Sequence, residues 1–230
     1  MRTGVTIFPG SNCDRDIMVA LKIITGKTPI KMWHKDTEFP NLDLVIIPGG
    51  FSFGDYLRCG ALAARSPVIK NIKNHISRGG AVLGICNGFQ ILIEAGILPG
   101  SLIRNKRLLF TCRNTTLKVQ DSMKSPFITG LKTGDYLNIP VAHNEGNFFG
   151  SEELLNELTN DGRIAFKYVK QTNSYDEYNP NGSSNDIAGI LSKNGKVLGM
   201  MPHPERAINH LHGGTDGFQF LSKCFQQIVG

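Results

Sequence analysis

A cysteine between two glycines, Gly84-Ile85-Cys86-Asn87-Gly88, is the strongest chemical signal in this 230-residue sequence. The apolar run 81–85 precedes it and a helical pattern over residues 88–95 follows. Cys86 therefore sits where a strand turns sharply into a helix, the setting of a nucleophile elbow, and helix N-termini favour the reactive thiolate form of a cysteine. A free cysteine can equally be a small hydrophobe in a core, and the flanking glycines alone leave that open. A base is offered by Met201-Pro202-His203-Pro204-Glu205. Its two prolines point to an extended segment, in which residues two apart face the same way. His203 and Glu205 would then meet, the carboxylate fixing the imidazole tautomer while the other nitrogen faces Cys86. By itself this string also describes a strand end with a solvated glutamate.

Acyl transfer needs donors for an oxyanion. Pro48-Gly49-Gly50-Phe51 follows an apolar run, so the Gly50 N–H is a candidate, with the Asn87 N–H beside the nucleophile as the second; a plain structural turn accounts for the two glycines equally well. His34, His75, His210 and His212 read as surface or loop residues, and His143, in Ala142-His143-Asn144-Glu145-Gly146, as a weaker candidate for contacts at the site. The five cysteines form no CxxC pair and no histidine-rich tract accompanies them. No metal site is expected, and reduced thiols of a cytoplasmic protein fit best. Neither GxGxxG nor GxxxxGK[ST] occurs, so no nucleotide cofactor is expected in this chain.

The elements that must position these residues follow from periodicity. Short apolar runs at 5–8, 30–34, 44–47 and 81–85 alternate with helical spacing at 14–25, around Ile69, Ile72 and Ile76, and at 88–95, which is the pattern of an α/β protein with a buried parallel sheet. Beyond residue 105, strand-like runs at 108–119, 136–142 and 163–169 follow one another with little helix between them, and Lys193-Asn194-Gly195 marks a hairpin joining 187–192 to 196–201. The second half thus predicts antiparallel additions. Residues 217–229 form a last helix with Phe218, Leu221, Phe225 and Ile228 inward, and 172–185 read as a long exposed loop. The expectation is one domain, 1–230, a flavodoxin-like three-layer sandwich.

The net charge of +6 is spread along the chain, densest at Arg104, Lys106, Arg107 and Arg113. Without a recognition motif it reads as a solvated basic surface rather than a nucleic-acid site, and leaves room for an acidic partner or a phosphorylated substrate. No run approaches the ~20 apolar residues that span a bilayer, and the opening residues do not make a signal peptide.

Taken in order, Pro-Gly-Gly, Gly-x-Cys-x-Gly-x-Gln (84–90) and Pro-His-Pro-Glu resemble the class I, triad-type glutamine amidotransferases. FPGSNCDRD (8–16), GGFSFGDYLRCGA (49–61), GICNGFQIL (84–92), NPNGSSNDIAGI (179–190) and MPHPERA (201–207) are similar to the members of that family that serve purine biosynthesis, and the likeness covers nearly the whole chain. The resemblance implies hydrolysis of L-glutamine through a thioester on Cys86, with His203 and Glu205 completing the triad. Gly50 and Asn87 would form the oxyanion hole, and Gln90 would help bind glutamine. It further implies ammonia delivery to a separate synthetase subunit, which uses ATP and Mg to turn formylglycinamide ribonucleotide into the amidine, in a complex with a small bridging subunit. Asn144 and Cys59 depart from the family pattern, where glycine and alanine are common. A glutaminase for another pathway, and a non-catalytic interaction protein or thiol sensor on the same scaffold, are the alternatives.

Overall fold

The computed structural model describes residues 1–170 and 178–229. In chain order these form β1 (Thr3–Ile7), α1 (Asp14–Thr25), β2 (Ile30–Trp33), β3 (Leu44–Ile47), α2 (Pro67–Ser77), β4 (Ala81–Ile85), α3 (Asn87–Glu94), β5 (Ser101–Ile103), β6 (Thr111–Val119), β7 (Tyr136–His143), β8 (Asn147–Phe149), α4 (Glu152–Asn160), β9 (Ile164–Tyr168), β10 (Ile187–Leu191), β11 (Val197–Met200) and α5 (Asp216–Val229). Nine strands make one sheet in the order β2-β1-β3-β4-β11-β10-β9-β6-β7, and β5 pairs with β8.

The first five strands of that order are mutually parallel. Every residue of β3 and β4 is buried, as continuous apolar runs require when helices cover both faces. From β1 the chain moves outward to β2, but from β3 it moves the opposite way to β4. Right-handed crossovers therefore place α1 and α2 on opposite faces, where α1 packs with α5, and α3 rests on β3, β4 and β11. This is the expected flavodoxin-like three-layer arrangement. The remaining pairings, β11-β10-β9-β6-β7, are antiparallel. Although β7 stands four places from β11, the His203 N–H donates to the Pro140 carbonyl at 2.8 Å. The antiparallel half must therefore curl back until β7 stands over the ends of the parallel strands.

Several local expectations change. The second half contains a helix, α4, whose Leu154, Leu155 and Leu158 share a face and whose first turn is capped by Ser151 Oγ, accepting from the Leu154 N–H at 3.3 Å. His34 and His75 are buried rather than superficial: His34 pairs with Ser66 and packs edge-on against Phe53, and His75 bonds the Ala81 carbonyl. Burial lowers the pKa of both rings. On α5 the core face is Phe220, Leu221, Cys224 and Phe225, while Phe218 is exposed. Of the expected exposed loop, residues 172–177 lie outside the described residues; in the remainder Asn181 and Ser183 are buried and hydrogen-bonded. No described helix is long and apolar enough to cross a membrane.

Candidate active site

Cys86 joins β4 to α3 with φ +50° and ψ −105°, a conformation that costs on the order of 1–3 kcal/mol and persists only when the surroundings impose it. Here they do. The Cys86 N–H donates to the Met200 carbonyl at 2.8 Å, and neither neighbouring glycine can gain a side chain. A Cβ on Gly88 would run into the Ile47 carbonyl, and one on Gly84 into the Gly88 backbone and Leu92. The sulfur is thus held at the mouth of α3, 3.7 Å from the Ala142 carbonyl of β7.

β11 ends beside β4 and delivers His203 and Glu205. The expected extended segment is replaced by a short 3-10 turn, Pro204–Arg206: proline is tolerated at the first position of a helical turn because its missing N–H has no partner there to lose. The pair meets all the same, with His203 Nδ1 2.7 Å from Glu205 Oε1 and both side chains almost fully buried. Burial alone would lower the pKa of His203; the Glu205 carboxylate, followed by Cys86, outweighs it and raises the value well above that of a free imidazole. Nε2 makes no well-formed hydrogen bond among the described residues, although Cys86 and Cys13 lie near enough to favour its proton. All three crowd the space above Gly49, where a Cβ would meet His203 Cε1, Cys13 Sγ and Cys86 Cβ. α5 clamps the turn from behind: a Cβ on Gly217 would strike the Pro204 carbonyl, and the Phe218 N–H donates to the Ala207 carbonyl at 3.1 Å.

Gly50 adopts φ +138° with residues 10–12 packed against it, and the loop is zipped to 8–13 by Phe51 N–H to Gly10 O at 2.8 Å and Phe53 N–H to Pro9 O at 2.7 Å. Neither the Gly50 nor the Asn87 N–H is taken up by a turn or loop carbonyl among the described residues. Gln90, expected to contact glutamine, has its amide committed elsewhere: Nε2 donates to the Glu145 carbonyl at 2.7 Å and Oε1 accepts from Asn87 Nδ2 at 2.9 Å, while Asn87 Oδ1 accepts from the Ser52 N–H at 3.2 Å. The chain Ser52-Asn87-Gln90-Glu145 ties the loop after β3 to α3 and to the segment after β7. Nearby, the Cys59 thiol lies between Asp55 and Glu145; burial first, then these carboxylates, raises its pKa.

The buttress behind this site was only faintly visible in the sequence. His143 Nδ1 is 3.1 Å from Asn105 Oδ1, which also accepts from the Gly146 N–H at 3.0 Å. A main-chain N–H can only donate, so this Asn105 atom is the oxygen and His143 carries its proton on Nδ1. Nε2 then accepts from Asn181 Nδ2 at 3.4 Å, and Asn181 also reaches the Tyr168 hydroxyl at 3.3 Å. Burial, with the nearby His203 charge, depresses His143 to about 3, so it stays neutral beside a charged neighbour. Asn105 carried no sequence signal of its own and Asn181 only that of the 179–190 string; each meets His143 across 38 residues of sequence.

The model of the CobB/CobQ-like glutamine amidotransferase domain matches residues 1–221. Two relatives, from Roseobacter denitrificans and Ruegeria pomeroyi, are each named phosphoribosylformylglycinamidine synthase subunit PurQ; each is 53% identical over 218 residues, covering 94% of this chain and 94% of the relative. A chain in the structure of PurLQS from Thermotoga maritima superposes with a TM-score of 0.84 at 41% identity, covering 99% of this chain and 97% of that one. With the elbow, the buried His203–Glu205 pair and the sheet order in place, the chain belongs to the glutamine amidotransferase family of PurQ subunits of phosphoribosylformylglycinamidine synthase.

Proposed function

We propose that the chain hydrolyses L-glutamine and passes the ammonia to a synthetase subunit that converts formylglycinamide ribonucleotide to the amidine. In this reading His203 Nε2 already holds the proton it has taken from Cys86, the Cys86 thiolate attacks the γ-carboxamide carbon, and Glu205 Oε1 holds Nδ1–H and supports the imidazolium. The carbonyl oxygen, negative in the tetrahedral intermediate, is received by the free N–H groups of Gly50 and Asn87. His203 returns the proton to the leaving nitrogen as ammonia departs, and water, activated by the same imidazole, then releases glutamate from the Cys86 thioester. Gln90 serves by holding the Glu145 carbonyl, and with it one wall of the site.

The observation that carries the reading is the buried His203–Glu205 pair at 2.7 Å with Nε2 left open beside Cys86. A protein that only bound partners would have no use for it, since burying such a pair is costly. ATP and Mg belong, in this proposal, to the synthetase. That partner and a small bridging subunit have a surface to meet: Leu57 and Leu108, 85% and 67% exposed, lie on the loops flanking the site, with Tyr56, Leu109 and Phe110 exposed beside them. The test is amidine formation by the reconstituted complex with glutamine or with ammonium. Cys86→Ala should abolish the first and spare the second; full glutamine-dependent activity in that variant would overturn the assignment.

A further inference from the structure

Resting on the reading of His203 and Glu205 as base and orienting carboxylate, we propose that these two residues and Cys13 form an inhibitory binding site for one zinc-class divalent cation. One ligand atom from each of the three lies within 4.8 Å of the others, and all three residues are buried. Thiolate, imidazole and carboxylate make a donor set suited to zinc, whose tetrahedral geometry holds such atoms roughly 3.3–3.6 Å apart. A shift of at most about 1.5 Å therefore closes the site. Gly49 keeps the space between His203 and Cys13 clear, because any Cβ there would touch both.

Two further observations point to a ligand. His203 Nε2 and Glu205 Oε2 are buried yet without a hydrogen-bond partner among the described residues, although buried polar atoms normally have one. A cavity of about 340 Å³, lined by Arg15, Asp16, Val19, Glu205, Arg206 and Ile208, opens beside Glu205 from the α1 side. It places open space beside the buried Glu205 carboxylate. Charge also balances: Arg206 stands 3.1 Å from Cys13 Sγ and 3.3 Å from Asp16, so the Cys13 thiolate, Glu205 and Asp16 together offset the cation and Arg206. On binding, the thiol proton of Cys13 and one imidazolium proton of His203 leave to solvent. With a nitrogen of His203 and the Glu205 carboxylate on the metal, the ring can no longer serve Cys86, and hydrolysis stops until a chelator removes the ion. Cys86 itself is not a ligand.

The test uses Co²⁺ as a spectroscopic stand-in on the full chain, and buffered Zn²⁺ against glutamine hydrolysis by the complex, each variant scaled to its own metal-free rate. Wild type and Cys86→Ala should each bind one Co²⁺ with a thiolate charge-transfer band, and Cys13→Ser should lose the band. The Zn²⁺ concentration for half-inhibition should rise about tenfold or more in Cys13→Ser, since even outer-shell changes cost 10–100-fold in affinity. A band that vanishes in Cys86→Ala but survives in Cys13→Ser would place the ion on the nucleophile and overturn the proposal, as would the absence of binding in the wild type. Because binding is read without turnover, these outcomes stand apart from the glutaminase reading, which fails only if Cys86→Ala still hydrolyses glutamine.

Discussion

The parallel and antiparallel halves of the sheet divide the work at one edge of the molecule. The parallel half carries the groups proposed for the chemistry: Gly50 after β3, Cys86 after β4 and His203 with Glu205 after β11. The antiparallel half supplies buried polar side chains that hold them, Asn105, His143, Tyr168 and Asn181, and curls β7 over the site. The parallel half shapes its turns by steric exclusion around glycines. The antiparallel half uses hydrogen-bond satisfaction, which is directional and fails one partner at a time. Reactivity and support are thus separable by mutation.

The largest effect should fall in the parallel half. Cys86→Ala lowers glutamine hydrolysis by roughly 10⁴- to 10⁶-fold with the fold intact, measured as glutamate release by the complex. Glu205→Gln retains the nucleophile and should lose about 10- to 100-fold less than Cys86→Ala, because the carboxylate orients and charges the base without touching substrate; equal losses would make Glu205 part of the chemical step itself. Asn105→Ala tests the other half: His143 and Gly146 lose their acceptor, which should cost about 1–3 kcal/mol in urea unfolding. A large fall in hydrolysis at unchanged stability would break the division of labour. The smallest effect is on acid stability. His143, held at about 3 against 6.5 when free, binds its proton more readily unfolded, so stability falls as pH drops from about 6.5 toward 3, by at most about 1.4 kcal/mol per pH unit. His143→Gln should flatten that slope between pH 7 and 5.

The difference between the halves also decides what the sequence discloses. Parallel strands buried on both faces read as unbroken apolar runs, and their ends are marked by the glycines that sharp turns and close packing demand, so the turns at Gly50 and Cys86 were readable in place. His203 and Glu205 were legible as a pair although the turn joining them was not, because a proline that forbids a helix interior also fits the first residue of a 3-10 turn. The buttress was hidden because asparagines such as Asn105 and Asn181 look like loop residues until partners distant in sequence surround them. Gln90 illustrates the same limit: its position on α3 was legible, while the commitment of its amide to Asn87 and Glu145 depends on how the segment after β7 returns. α4 had readable signals in Ser151 and its three leucines, masked by the strands on either side.

The clamp of α5 on the His203 turn has a consequence in time. Synthesised from its N-terminus, the chain brings its proposed nucleophile into solution roughly 120 residues before its proposed base, an interval of about 6–24 s at ~5–20 residues per second. The turn bearing that base is backed only when Gly217 and Phe218 pack against Pro204 and Ala207. A nascent chain therefore presents a thiol with no base to serve it, and in this reading glutamine is spared until α5 has emerged and closed the site.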